Sequence, residues 1–261
     1  MSMWEKQLNK FTSLIKQLIQ EREKGKLRFN RSFIIASDIA QQYFCEKKVE
    51  MQYLEGVIET ESKMLGAEAH EKLLEDSIKI ERRTLMKKIY GPEPIFAFEM
   101  LLLAKYKKVI IAGRPDSIIF QNGFPLVVFE YKFSRSRRPF RDHHVQVRTY
   151  GTLLKGMGFD TSRLFYAIVM VDPKAKVDKK LKYKLVDAVI RNGPKEAVLS
   201  IGNAKVYLNK FNSKDAEQDL NWAIEFWENK RQAIPTNNPN KCRNCEYNKK
   251  CKETKHKQLS L

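Results

Sequence analysis

The stretch that most constrains this chain runs from Gly113 to Tyr150: GRPDSIIFQNGFPLVVFEYKFSRSRRPFRDHHVQVRTY. Two runs rich in Val, Ile and Phe flank Asn122-Gly123, and an Asn-Gly pair between such runs predicts a β-hairpin. Side chains on a strand alternate between its faces, so Glu130 and Lys132 project to the same side of the second run, Leu126 to Phe133. The hairpin returns Asp116, at the front of the first run, to the neighbouring strand. Two carboxylates and an ammonium can therefore converge. Hard oxygen ligands of this kind suit Mg²⁺ or Mn²⁺, and a lysine beside them can orient or polarise a water. That is equipment for metal-assisted phosphodiester hydrolysis. Pro115 offers no amide to a ladder, so a bend there is expected to carry the Asp116 side chain toward a cleft.

Charge narrows the choice of partner. The 261 residues carry a net charge of +18, a bias toward polyanions. Between Tyr131 and Thr149 six basic residues (Lys132, Arg135, Arg137, Arg138, Arg141 and Arg148) face a single Asp142, which favours nucleic acid over a merely solvated lysine surface. No run approaches the roughly 18 apolar residues that span a bilayer, and the N-terminus lacks a signal-peptide pattern, so a cytoplasmic protein without membrane contact is expected. With 43% apolar residues the chain can fill one large core with a small attached subdomain.

The remaining elements follow from periodicity. An amphipathic helix is predicted over residues 3–24, ended by Gly25, and a second from Ser37, with Ser37 as its N-cap and Cys45 inside it. A long helix is expected over 61–89 with His70 near its front, then strands over 95–106 and 109–120. The Leu-rich end of the first could instead be helical, and Glu99 reads as a solvated edge carboxylate in preference to one near the site. A helix from about Phe140 and a buried strand at Leu164–Val171 complete the order α-β-β-β-α-β, the strand returning parallel after its crossover. His143 and His144 point about 100° apart on a helix, cannot share one ion, and read as surface or DNA-facing. Gln146 and Tyr150 share a helix face. The lysines at 174–184 read as a solvated loop, followed by a helix over 185–200, a strand over 205–208 and a helix over 213–230.

A second site is implied by the cysteines. Beyond Pro235 the text is polar and cannot build a core, so Cys242-x-x-Cys245-x₅-Cys251 is hard to explain by burial. Cys45 is the only other cysteine, and the four could hold Zn²⁺ or an iron–sulfur cluster; spacing alone leaves both open. Either would clamp the C-terminus to the second helix, worth on the order of 4–5 kcal/mol in chain-entropy models.

Gly113-x-x-Asp116-x-Ile118, Glu130-Tyr131-Lys132 and Gln146-x-x-x-Tyr150, bracketed by Cys45, Cys242, Cys245 and Cys251, resemble the RecB-like branch of the PD-(D/E)XK nucleases, most of all the CRISPR-associated Cas-four nucleases. The resemblance implies an α/β restriction-endonuclease-like core with N-terminal helices and a C-terminal iron–sulfur subdomain. Residues 1–60 would form a helical region donating one cluster cysteine, 61–172 the nuclease core, 173–234 a basic insertion with a helix, and 235–261 the cysteine tail. Asp116, Glu130, His70 and the Tyr131 carbonyl would bind Mn²⁺ or Mg²⁺ while Lys132 serves catalysis, and the four cysteines would hold [4Fe–4S]. Gln146 and Tyr150 would line a DNA path, with Arg135, Arg137 and Arg138 tracking phosphates. Implied work is cleavage of single-stranded or frayed DNA, as exonuclease or endonuclease, trimming it for CRISPR spacer acquisition. Partners would be CRISPR integrase proteins, or a helicase supplied by another chain because no phosphate-binding Gly-rich loop is present; homo-oligomerisation stays open. The alternatives are a non-cleaving DNA-binding scaffold of the same fold and a subunit of a recombination–repair complex.

Overall fold

A computed structural model describes residues 1–20, 25–59, 79–173 and 180–253. Helix α1 spans Met3–Gln20, and a single 3₁₀ turn at Arg28–Asn30 leads to strand β1, Ile34–Ile35. Helices α2 (Ala36–Phe44), α3 (Glu46–Glu55) and α4 (Arg82–Ile89) follow. Five strands come next: β2 (Ile95–Phe98), β3 (Leu102–Tyr106), β4 (Val109–Gly113), β5 (Ser117–Gln121) and β6 (Phe124–Phe133). Helix α5 (Arg141–Met157) crosses over to β7 (Phe165–Val171). Helix α6 (Leu181–Asn192), strands β8 (Ala197–Ile201) and β9 (Ala204–Lys210), and helices α7 (Ser213–Trp227) and α8 (Pro239–Arg243) complete the described elements.

Six strands form one sheet in the order β2-β5-β6-β7-β9-β8; β1, β4 and β3 form a smaller one. The β5–β6 hairpin closes at Asn122 (φ 51°) and Gly123 (φ 81°), left-handed conformations that an Asn-Gly pair tolerates. Tyr90 packs so tightly on Gly123 that an added Cβ would sit 2.7 Å from its ring. Strand β6 pairs parallel with β7, as the helical crossover demands. Even-numbered residues of β5, β6 and β7, among them Ile118, Val128 and Ile168, join the core with α2, α5 and α7. Odd-numbered ones, among them Ile119, Phe129 and Val169, pack with Leu181 and Leu185 of α6. Both faces are covered, which is why these strands read as unbroken apolar runs.

Several expectations change. The strand expected over 95–106 is two strands in different sheets, broken at exposed Glu99, whose φ is 45°. That expected over 109–120 likewise breaks into β4 and β5 around Arg114-Pro115-Asp116, the bend foreseen from the proline. Helix α2 begins at Ala36 rather than after a Ser37 cap, and Cys45 is not inside it but at the extended junction (φ −172°, ψ 121°) between α2 and α3. The helix expected over 185–200 runs earlier, and 197–210 forms a hairpin that extends the main sheet. Lys182, expected in solvent, is buried beside Phe98. Most of the helix expected over 61–89, with His70, lies outside the described residues.

Among the described residues, no helix is long and apolar enough to cross a membrane.

Candidate active site

Strand parity sets the direction of each side chain. Ser117 pairs with Phe129, so extending the ladder one step sets Asp116 opposite Glu130. Both are even-numbered and point, with Lys132, toward α5. The chain leaves the ladder at Asp116, and its carboxylate takes over as acceptor: Oδ2 receives the Tyr131 amide at 2.6 Å. On the main-chain side the Asp116 carbonyl accepts from the Glu99 amide at 3.1 Å.

Helix α5 supplies the opposite wall. Lys132 Nζ donates to Glu130 Oε1 at 2.9 Å and to Gln146 Oε1 at 2.8 Å. Gln146 Nε2 donates in turn to Glu130 Oε1 at 2.7 Å and to the Tyr150 hydroxyl at 2.8 Å. The Tyr150 hydroxyl reaches back to the Arg114 carbonyl at 3.4 Å, so the ring bridges α5 to the β4–β5 bend. Gly113 makes this possible, since a Cβ there would lie 2.8 Å from the Tyr150 ring. Gln146 and Tyr150 are both buried; Gln146 bonds the acidic and basic groups of β6, and Tyr150 bonds Gln146.

Residues 11–252 match the family described as the PD-(D/E)XK nuclease superfamily. The chain belongs to this superfamily. Its members are generally nucleases and typically use Mg²⁺ or Mn²⁺. No curated protein matches the chain. A solved structure titled "Crystal structure of SSO0001" is 17% identical, with 85% of this chain and 87% of that chain covered and a TM-score of 0.47.

In this chain Glu130 has only 7% of its side chain exposed and Lys132 has 23%. Burial works against the charge on Lys132. The adjacent Glu130, with Asp116 and Asp142, more than offsets it, and the net shift is upward. Lys132 is therefore an ammonium at neutral pH, a donor and counter-charge rather than a base. Asp142, seen in the sequence only as a lone acid among basic residues, joins this counter-charge from the first turn of the helix that follows the lysine strand. Tyr150 is held well above the usual phenol range by burial and by Glu130, so it stays a neutral hydrogen-bonding post.

The two histidines are less exposed than expected. His143 Nδ1 accepts the Phe140 amide at 3.3 Å, and burial pushes its pKa down to about 4. His144 Nδ1 lies 3.1 Å from the Tyr166 hydroxyl, and its pKa is also lowered, chiefly by burial.

The arginine loop is not uniform. Arg137 donates to the Asn203 carbonyl at 2.9 Å and its own carbonyl accepts from Tyr207, tying the loop to the β8–β9 hairpin. Arg135 and Arg138 extend into solvent.

All four cysteines line one pocket, together with Lys48, Met51, Thr236 and Lys241. They are unpaired by disulfides. The Thr236 amide donates to Cys45 Sγ at 3.3 Å. Burial raises the Cys245 thiol, partly countered by the Tyr247 amide and Lys48. Thiols gathered at one pocket, with backbone donors and a cation beside them, are a donor set that suits a thiolate-bound metal or cluster. Their grouping is looser than a closed ligand shell: among the described residues no three His, Cys, Asp or Glu side chains are drawn into metal-binding geometry. Direct contacts also dock the tail. Lys241 Nζ donates to the Tyr43 and Phe44 carbonyls at 2.9 and 3.1 Å, and the buried Tyr247 donates to the Gly56 carbonyl at 2.6 Å.

Proposed function

We propose that this chain is a divalent-metal-dependent deoxyribonuclease. The observation that carries the reading is the convergence of Asp116, Glu130 and Lys132 at the open end of the β5–β6 ladder, with Gln146 bonded to both members of the β6 pair. Asp116 and Glu130 would hold Mn²⁺ or Mg²⁺. The Tyr131 carbonyl is a further candidate ligand, because the N–H and C=O of a strand residue face the same edge and its N–H meets Asp116. His70 remains a proposed ligand on the strength of the family resemblance. When bound, the cation supplies Lewis-acid charge for phosphodiester hydrolysis. Lys132, kept protonated, donates a hydrogen bond to the attacking water or to the phosphate oxygen on which charge develops. Gln146 fixes the Lys132 head group relative to Glu130, and Tyr150 fixes Gln146.

Exposed Arg135 and Arg138 fit a phosphate-tracking role, whereas Arg137 is engaged by the protein. Work on single-stranded or frayed DNA, and a place in CRISPR spacer acquisition beside an integrase, follow only from the motif order and the bracketing cysteines. Those same residues support a [4Fe–4S] cluster on Cys45, Cys242, Cys245 and Cys251, with Zn²⁺ as the alternative.

The test is cleavage of labelled single-stranded DNA with Mn²⁺, run beside binding in chelator on the same preparations. Glu130→Gln should abolish cleavage while leaving affinity unchanged or higher, since a carboxylate that repels phosphate is gone. Lys132→Ala should also stop cleavage and leave metal binding largely intact. A Glu130 variant that cuts as fast as wild type would show the site to be misassigned. A metal-replete wild type that cuts nothing would hand the fold to the scaffold reading.

A further inference from the structure

A second cavity, of ≈ 430 Å³, opens between α2, α7 and the start of the C-terminal tail, lined by Tyr43, Arg141, Trp222, Thr236 and Lys241 among others. That volume lies in the range of small-ligand sites. Tyr43 and Trp222 meet at 4.7 Å between ring centroids, tilted by 53°. Arg141 lies over the Tyr43 ring, its Cζ 4.7 Å from the centroid.

Arg141 is held there loosely. Its other contact is an ion pair to Asp219 at 3.7 Å, with 72% of the Arg141 side chain exposed. Asp219 is already neutralised by Arg148 at 2.5 Å in a far more buried setting. A long pair with the guanidinium in solvent contributes little, and Arg148 stays on the buried Asp219, so Arg141 can leave without stranding a charge. A half-buried aromatic face under a removable guanidinium, in a concave site with a second cation, has the chemistry of a nucleobase stack beside a phosphate. A paired base cannot present its face to such a pocket.

We propose that this cavity binds one unpaired nucleobase of a nucleic-acid strand, stacked on Tyr43, with Arg141 swung from the ring onto an adjoining phosphate. The assignment rests on the nuclease reading above and adds to it a subsite for one unpaired base. Arg141 opens α5, and Gln146 of the active site lies five residues further along, a rise of about 7.5 Å. The two side chains lie about 140° apart around the helix, so a strand that engages both places passes over the N-terminal end of α5, with an unpaired segment beside the scissile bond.

The experiment uses the full chain in chelator and a fluorescent single-stranded DNA oligonucleotide carrying one abasic site, moved along the strand. In wild type one position should weaken binding about tenfold, within the range of base–aromatic stacking. In Tyr43→Leu the same abasic site should cost less than twofold, because the stack is already gone. Arg141→Ala, a change at an exposed side chain that keeps the protein folded, should retain the abasic penalty and flatten the slope of log affinity against log salt by about 0.7. A flat abasic scan, an equal penalty in Tyr43→Leu, or an unchanged salt slope in Arg141→Ala would overturn the pocket. If Tyr43→Leu does not fold, the wild-type scan and the Arg141 slope still decide it. Parallel cleavage with Mn²⁺ separates the two readings: a protein that cuts DNA but gives a flat scan loses only the pocket. One that shows the abasic position but never cuts loses the nuclease reading instead.

Discussion

The side chain of Asp116 occupies the place of a missing strand residue, its Oδ2 accepting the Tyr131 amide at 2.6 Å where the β5–β6 ladder ends. One carboxylate thus has a structural and a chemical duty, and two substitutions separate them. Asp116→Asn keeps an acceptor for the amide and loses the charge; Asp116→Ala loses both. Cleavage should fall at least about a hundredfold in either, since the cation loses a formal ligand charge. Unfolding free energy should fall by about 1–3 kcal/mol only in Asp116→Ala, where a partly buried N–H is left without its partner. Urea unfolding beside a cleavage assay reads both. Equal stability of the two variants would mean the amide finds another acceptor.

Glu46 is fully buried and takes a forked ion pair from Arg231, with a 2.6 Å arm to Oε1, plus the Gln42 amide at 2.8 Å and the Ile234 amide at 2.8 Å. This network joins α3 to the segment leaving α7, 185 residues away in sequence. Arg231→Met should cost about 3–5 kcal/mol, because it strands a desolvated carboxylate. Adding Glu46→Gln should restore more than half, since the charge goes and an acceptor for Ile234 stays. Chemical denaturation of the two variants measures this; a double variant no better than the single one would assign the loss to packing.

Much of the site was legible because strand parity and a two-residue turn are local properties. Asn122-Gly123 fixes the hairpin, and parity then puts Glu130, Lys132 and Asp116 on one face without knowledge of the rest. The breaks at Glu99 and Pro115 were harder. An apolar run that changes sheets looks the same as one that does not, and only long-range pairing of β4 with β1 and β3 separates them. Lys182 misled for a different reason: Lys180 and Lys184 on either side of it are exposed, and the approach of its ammonium to within 5.2 Å of the Phe98 ring centre depends on a strand far away in sequence. Gln146 and Tyr150 were placed on one helix face by spacing, but the bonds of Gln146 to Glu130 and Lys132, and of Tyr150 to Gln146 and the Arg114 carbonyl, required the packing of α5 on the sheet.

His143 gives the fold a pH dependence of definite sign. Burial, helped by the charges of Lys132 and His144 and opposed by Asp142, lowers its pKa to about 4 from an unfolded value near 6.5. The unfolded chain therefore binds more protons between those values. The histidine's contribution is complete above about pH 6.5, declines as pH falls through the window, and levels off below about 4. Its size is on the order of 3 kcal/mol. His143→Asn, which can still accept the Phe140 amide, should flatten the stability profile across that window relative to wild type. Parallel profiles would show that the folded state lets His143 protonate.

The cysteine pocket yields the last prediction, and its strength is set by contacts that need no metal. A cross-link from Cys45 to the tail closes a loop of some two hundred residues, worth at most about 4–5 kcal/mol. Lys241, Tyr247, the Lys48–Glu246 pair at 3.2 Å and the Lys250–Glu55 pair at 3.0 Å already hold the tail against α2 and α3, so part of that loop is closed without a metal. Loss of the metal or cluster should therefore lower the melting temperature and open the tail to proteolysis while the main sheet stays folded. Purified without oxygen, the protein should contain iron and acid-labile sulfide; stoichiometric zinc with no iron would decide for a Zn²⁺ site. If the four cysteines hold the proposed metal or cluster, Cys45→Ser and Cys245→Ser should reduce metal content and stability equally. A Cys45 variant with undiminished metal would remove Cys45 from the ligand set and leave the three tail cysteines to bind with another group.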